Sequence, residues 1–128
     1  MPKKPEKILI FDFDFTIADS LDSIIIFYNQ IAPFLKLKEV SKKDLEKFRY
    51  LEIREAMKEL NVKIWQFWFL IPYIKYRLFF EKNAFKAIIG VKQMLADLKK
   101  EGYKIGILSS NSKANILKFL IKENLNCF

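Results

Sequence analysis

A chain of 128 residues with 52% hydrophobic content can bury one modest core and is too apolar to stay unfolded. It has no His, which removes His-based zinc sites and Ser-His or Cys-His catalysis; its one cysteine, Cys127, removes an internal disulfide and suggests a reduced, cytoplasmic setting. The net charge of +8 is scattered Lys with no nucleic-acid signature, so it reads as a solvated surface that favours anionic small molecules, with no specific nucleic acid expected.

The N-terminus, Met1 to Lys7, is basic, but the apolar run behind it breaks at Asp12, so it does not read as a signal peptide. Ile8-Leu9-Ile10-Phe11 is a short unbroken run of β-formers. It predicts a strand buried on both faces, as in a parallel sheet. The run leads straight into Asp12 and Asp14, with Thr16 two residues on. Strand geometry held through Asp14 would put both carboxylates on one side, about 6–7 Å apart. Two anions that close repel each other, and a cation or a proton on one of them relieves the repulsion. A carboxylate kept ionised as a nucleophile beside one that handles protons makes a useful site. The plainer reading of such a pair is a turn or a helix cap. The apolar run before it, Thr16 after it and a matching downstream half weigh against that reading.

Asp19 or Ser20 can cap a helix whose inward face is Leu21, Ile24, Ile25, Tyr28, Ile31, Ala32 and Leu35, ended or kinked at Pro33. Ser41 to Asp44 predicts a capping box opening a second helix with Leu45 and Phe48 inward. A third helical piece carries Ile53, Ala56, Met57 and Leu60 and stops near Asn61. Trp65 to Leu70 is apolar nearly all round, and Pro72 suits the first turn of a further helix reaching about Lys82. Ile64 to Ile74 is uncharged but well short of the ~20 residues a membrane span needs. The aromatic cluster is expected to be internal packing. Contact with a membrane surface, for which Trp65, Trp68 and nearby Lys are suited, is the minor alternative.

Ile88, Val91, Met94, Leu95 and Leu98 form the next helical face, stopped by Gly102. Gly90 is either a turn before that helix or a tolerated helical glycine. Tyr103 to Leu108 predicts a second buried strand, ending at Ser109-Ser110-Asn111-Ser112. Asn111 or Ser112 then caps a last helix with Ile116, Leu117, Leu120 and Ile121 inward, and Phe128 looks like the opening of another strand. Helix, Gly, strand and polar strand end make a unit of a doubly wound α/β sheet.

Ile8 to Thr16, an apolar strand followed by Asp-x-Asp-x-Thr, resembles the first motif of the haloacid dehalogenase superfamily, and Ile17 to Ser20 resembles its phosphoglycolate-phosphatase-like members. The strand ending at Ser109 resembles the second motif. The resemblance implies an α/β fold with a partial Rossmann-like parallel sheet and an inserted helical cap. Residues 1–20 and 84–128 would form the core, incomplete and without its C-terminal strands, and residues 21–83 the cap. It implies Asp12 as nucleophile, Asp14 as general acid/base, and Thr16, Ser109, Ser110 and Asn111 as substrate-binding residues. Mg²⁺ would be held by Asp12 and by Asp14 through its backbone carbonyl. Arg54 and Lys75 could face a substrate anion from the cap. The dehalogenating branch lacks the second Asp, so Asp14 implies phosphoryl chemistry. Phe15 departs from the pattern, standing where the family often has Gly; a bulky residue there could stiffen or misplace the loop.

No residue can be assigned to the family's third motif, a Lys, or its fourth, an acidic metal-binding site. Lys113, Lys118 and Lys122 lie too near Ser109 in sequence for the former. The expectation is therefore a truncated or fragmentary Mg-dependent phosphatase of this type, acting on a small phosphorylated metabolite through an aspartyl phosphate. The alternative is a catalytically silent phosphate- or metal-binding or interaction module of the same descent. A phosphotransferase of the family is a third, lesser option.

Overall fold

A computed structural model describes residues 2, 5–126 and 128. Met1, Lys3, Lys4 and Cys127 lie outside the described residues, and with them the readings of the first residues and of the lone thiol. The chain forms two compact units, one of Met1–Ser20 with Phe85–Phe128 and one of Leu21–Ala84.

In the first unit, β1 (Ile8–Phe11) pairs in parallel with β4 (Lys104–Ile107), Ile8 opposite Lys104 and Phe11 opposite Ile107. The ladder is closed at its ends by Lys104 N–H to the Lys7 carbonyl (2.8 Å) and Leu108 N–H to the Phe11 carbonyl (2.9 Å). A two-residue antiparallel pair, β2 (Ala18–Asp19) with β3 (Lys86–Ala87), has no counterpart in the sequence reading. Segments that short carry no legible alternation.

The core of this unit is built around Phe13, which is fully buried. Its ring meets Phe119 edge-on at 5.2 Å and Phe85 at 5.6 Å. Ile17 and Leu95 are also fully enclosed. The sequence expectation of a strand buried on both faces fails here. Ile8 is 61% exposed and Ile10 67%, because one face of this two-stranded sheet has no covering layer among the described residues.

Helix α5 (Val91–Lys100) follows Gly90, which sits at φ +87° and so belongs to the turn before the helix rather than to its body. Val91 and Leu95 are buried, but Met94 is exposed and Ile88 precedes the helix, so the inward face is narrower than expected. Gly102, also at φ +87°, ends α5: its N–H donates to the Lys99 carbonyl, and Tyr103 N–H to that of Leu98. This paired pattern satisfies two otherwise orphaned carbonyls. Helix α6 (Lys113–Lys122) is capped by Ser112, whose Oγ accepts the Asn115 N–H at 3.2 Å. Its inward residues are Phe119 and Leu120; Leu117 and Ile121 face out, because Phe119 packs on Phe13 and turns the helix accordingly. Phe128 is not in a strand.

The second unit is helical, with no strand among the described residues: α1 (Leu21–Ile31), a 3-10 turn (Ala32–Leu35), α2 (Leu45–Arg49), α3 (Ile53–Glu59) and α4 (Ile64–Phe80). Pro33 sits inside the 3-10 turn, ending α1 as its fixed φ and missing N–H require. Tyr28, Ala32, Val40, Phe48 and Leu70 make the core. The Asn29 side chain pairs with both backbone groups of Val40, at 2.9 and 2.8 Å, and the Tyr28 hydroxyl donates to the Lys38 carbonyl at 2.8 Å. These bonds tie the long 36–44 connection to α1.

Three expectations for this unit need correction. The capping box at Ser41 does not form: the Ser41 hydroxyl donates to the Asp44 carboxylate at 2.8 Å, and α2 starts after Asp44. The box forms one helix later, where Glu52 N–H donates to Glu55 Oε2 at 3.0 Å. Ile53, which opens α3, is 66% exposed. Pro72 does not open a new helix but lies inside the continuous α4. Its missing N–H costs one bond in mid-helix, which the packing of Leu70 and Ile74 on the core offsets. Most of all, the aromatic cluster is not internal packing. Trp65, Trp68 and Phe69 are exposed, and the residues of this segment that are buried are Leu70 and the polar Gln66. Gln66 donates to the Leu35 carbonyl at 3.0 Å and accepts the Lys63 N–H at 2.7 Å. Among the described residues no helix is long and apolar enough to cross a membrane.

Candidate active site

The site residues stand where β1 and β4 stop. Asp12 follows the last paired residue of β1; its Oδ1 accepts the N–H of Phe13 at 2.7 Å, and the residue is exposed. Phe13 then plunges into the core and anchors a tight turn. Its carbonyl accepts the N–H groups of Ile17 and Ala18, each at 3.1 Å, and Phe15 N–H reaches back to the Ala18 carbonyl at 2.8 Å. The turn lifts Asp14 out of the strand and into an isolated bridge with Ala18. Regular strand geometry therefore does not run through Asp14.

Asp14 turns its carboxylate to the end of β4. Asn111 Nδ2 donates to Asp14 Oδ1 at 3.0 Å, and the Ser109 hydroxyl approaches Asp14 Oδ2 at 3.5 Å, the long end of hydrogen bonding. Ser109 Oγ also accepts the Asn111 N–H at 3.0 Å. The Asn111 side-chain oxygen is taken by two donors, Ser112 N–H at 2.8 Å and Asn115 Nδ2 at 3.0 Å. A backbone N–H can only donate, so the amide must present its NH₂ to Asp14. Asp14, Ser109 and Asn111 thus form one half-buried, hydrogen-bonded group beside Asp12. Thr16 and Ser110 are exposed and take no part in these bonds.

Asn115 was missed at the sequence level. The signal was its place on the first turn of α6, where its side chain can reach back to a residue just ahead of the helix. Among the described residues no group of three Asp, Glu, Cys or His is gathered as a metal cluster.

Known proteins match this chain in sequence and in fold. The model of the haloacid dehalogenase-like hydrolases matches residues 9–128. The chain belongs to the haloacid dehalogenase-like hydrolase family. It is 32% identical over 117 residues to a phosphoglycolate phosphatase of Synechococcus elongatus, an alignment covering 91% of this chain and 55% of the relative. This haloacid dehalogenase-like chain thus spans about half the length of the curated relative it matches. A Bacteroides fragilis protein described as a haloacid dehalogenase-like hydrolase superposes with a TM-score of 0.71 at 20% identity, covering 97% of this chain and 61% of the other. CbbY from Rhodobacter sphaeroides, crystallised with phosphate, gives 0.59 at 13% identity over 91% and 56%. Likenesses at such identities speak for the fold: an α/β protein with a short parallel sheet.

Proposed function

We propose that this hydrolase is a Mg²⁺-dependent phosphatase that acts on a small phosphorylated metabolite, with Asp12 as nucleophile and Asp14 as general acid/base. The observation that carries the reading is the Asp14–Asn111–Ser109 group gathered at the paired strand ends, next to an exposed Asp12. In the first step an Asp12 oxygen attacks phosphorus, the bond to the ester oxygen breaks, and Asp14 gives the departing alkoxide a proton. In the second, Asp14 takes a proton from water, which attacks the aspartyl phosphate and frees Asp12 and inorganic phosphate. Ser109 supplies a hydroxyl to a phosphoryl oxygen, with Thr16, Ser110 and Asn111 as further contacts.

The hard oxygens of the exposed Asp12 carboxylate and the Asp14 carbonyl suit Mg²⁺, which keeps several waters and needs few protein ligands. The ion, when bound, neutralises phosphoryl charge. The helical unit is the cap that selects the substrate, and the relative named a phosphoglycolate phosphatase favours a small phosphorylated organic acid. The setting is the cytoplasm.

The test is release of p-nitrophenol from its phosphate by the 128-residue chain, with Mg²⁺ and with chelator. Turnover that needs the metal and vanishes in Asp12→Asn is the expected result. A folded chain that binds Mg²⁺ without turnover supports the silent binding module instead.

A further inference from the structure

One face of α4 is fastened to its own unit: Gln66 and Leu70 are buried, and Arg77 bonds to Gln30 at 2.8 Å while its guanidinium lies 4.4 Å from the centre of the Phe27 ring. The opposite face carries Trp65 (62% exposed), Trp68 (71%), Phe69 (57%), Tyr76 (63%), Phe79 (38%) and Phe80 (65%). Their spacings of three, four and seven residues put them in one stripe. At 1.5 Å per residue it runs about 22 Å along the helix. Neighbouring rings along it touch, Tyr76 with Phe80 at 4.8 Å and Phe79 with Phe80 at 5.0 Å. Six exposed aromatic side chains on one helix face are a candidate interaction site.

Charge decides the occupant. No Asp or Glu occurs between Ile64 and Phe80, Lys75 is exposed on the helix, and Lys63 and Lys82 flank it, with Glu81 the one carboxylate at the far end. A second copy of the chain would set this stripe against itself and offer Lys75 no carboxylate from the same helix. Negatively charged headgroups answer Lys75 on the helix and offer partners to the flanking Lys63 and Lys82. Trp and Tyr, with an apolar body and a polar edge, suit the headgroup boundary, and a helix lying in that plane needs no spanning length. We infer that the exposed face of α4 docks on an anionic lipid surface, the aromatic stripe at the acyl boundary and the lysines among the headgroups.

Both tryptophans of the chain lie on this face, so their emission reads the docking directly. The probe is a set of vesicles of phosphatidylcholine alone or mixed with phosphatidylglycerol. The expected result is a blue shift and quenching by brominated acyl chains with the mixed vesicles only, weakened by salt. In co-sedimentation, Lys75→Glu should lower that binding roughly tenfold and leave circular dichroism unchanged. Trp68→Glu, on the exposed face, should abolish it with the same helical spectrum. No shift with mixed vesicles overturns the inference. So does a vesicle-independent dimer that Trp68→Glu dissolves, since the stripe is then an interface between copies.

Discussion

Phe15 adopts φ +60°, the left-handed region that L-residues avoid. Holding it costs about 1–2 kcal/mol, part of which glycine's greater chain entropy would offset. The ring is 53% exposed, so little packing is lost on removing it. Phe15→Gly should therefore raise stability by up to about 1 kcal/mol in urea unfolding. A drop would mean that the ring holds the turn. The family resemblance marked this position as one that often holds Gly, and the left-handed backbone gives the physical reason. The geometry of the neighbouring Asp14 was not legible, because the turn anchored by Phe13 depends on the distant rings of Phe85 and Phe119. Tyr28 supplies a pH test at the same scale. Burial raises its phenol pKa from 10.0 to about 12. The folded state keeps a proton that the unfolded chain has lost, so this contribution is full below pH 10 and declines towards about pH 12. Thermal unfolding of the wild type should show that decline, and Tyr28→Phe should flatten it.

At the scale of elements, helices were easy to place and their orientation was not. Where a segment is apolar all round, as from Trp65 to Leu70, periodicity has no polar face to measure against. The buried side is then set by Gln66, whose two hydrogen bonds hold α4 to the preceding turn and to its own N-terminus. Gln66→Ala leaves the Leu35 carbonyl without that donor and should cost about 1–3 kcal/mol, whereas Trp68→Ser should cost far less. Equal losses in chemical denaturation would contradict this assignment of faces. The joint between α5 and the end of α6 adds a pH test. Lys92 bonds to Glu123 at 2.6 Å and holds its carboxyl below its ordinary value of 4.5, outweighing the opposing effect of partial burial. The pair stabilises the fold above that value and loses its effect as the pH falls through the lowered pKa. Lys92→Met should therefore remove more stability at neutral pH than in acid, and an equal loss at both would show that the ion pair contributes nothing.

For the whole molecule, the order of the two strands was legible through the family resemblance, and β1 does pair with β4 so that Asp14 meets Ser109 and Asn111 at their ends. The exposure of Ile8 and Ile10 was not legible, since burial on both faces depends on layers that no residue of the strand specifies. The central claim is that Asp12 carries the phosphoryl group. Its most direct test is to incubate the chain with a phosphate ester and Mg²⁺, quench in acid and locate any phosphoryl adduct by peptide mass spectrometry. The expected adduct lies on Asp12 and is missing from Asp12→Asn. An adduct on another residue, or none in a folded chain that still releases phosphate, contradicts the claim.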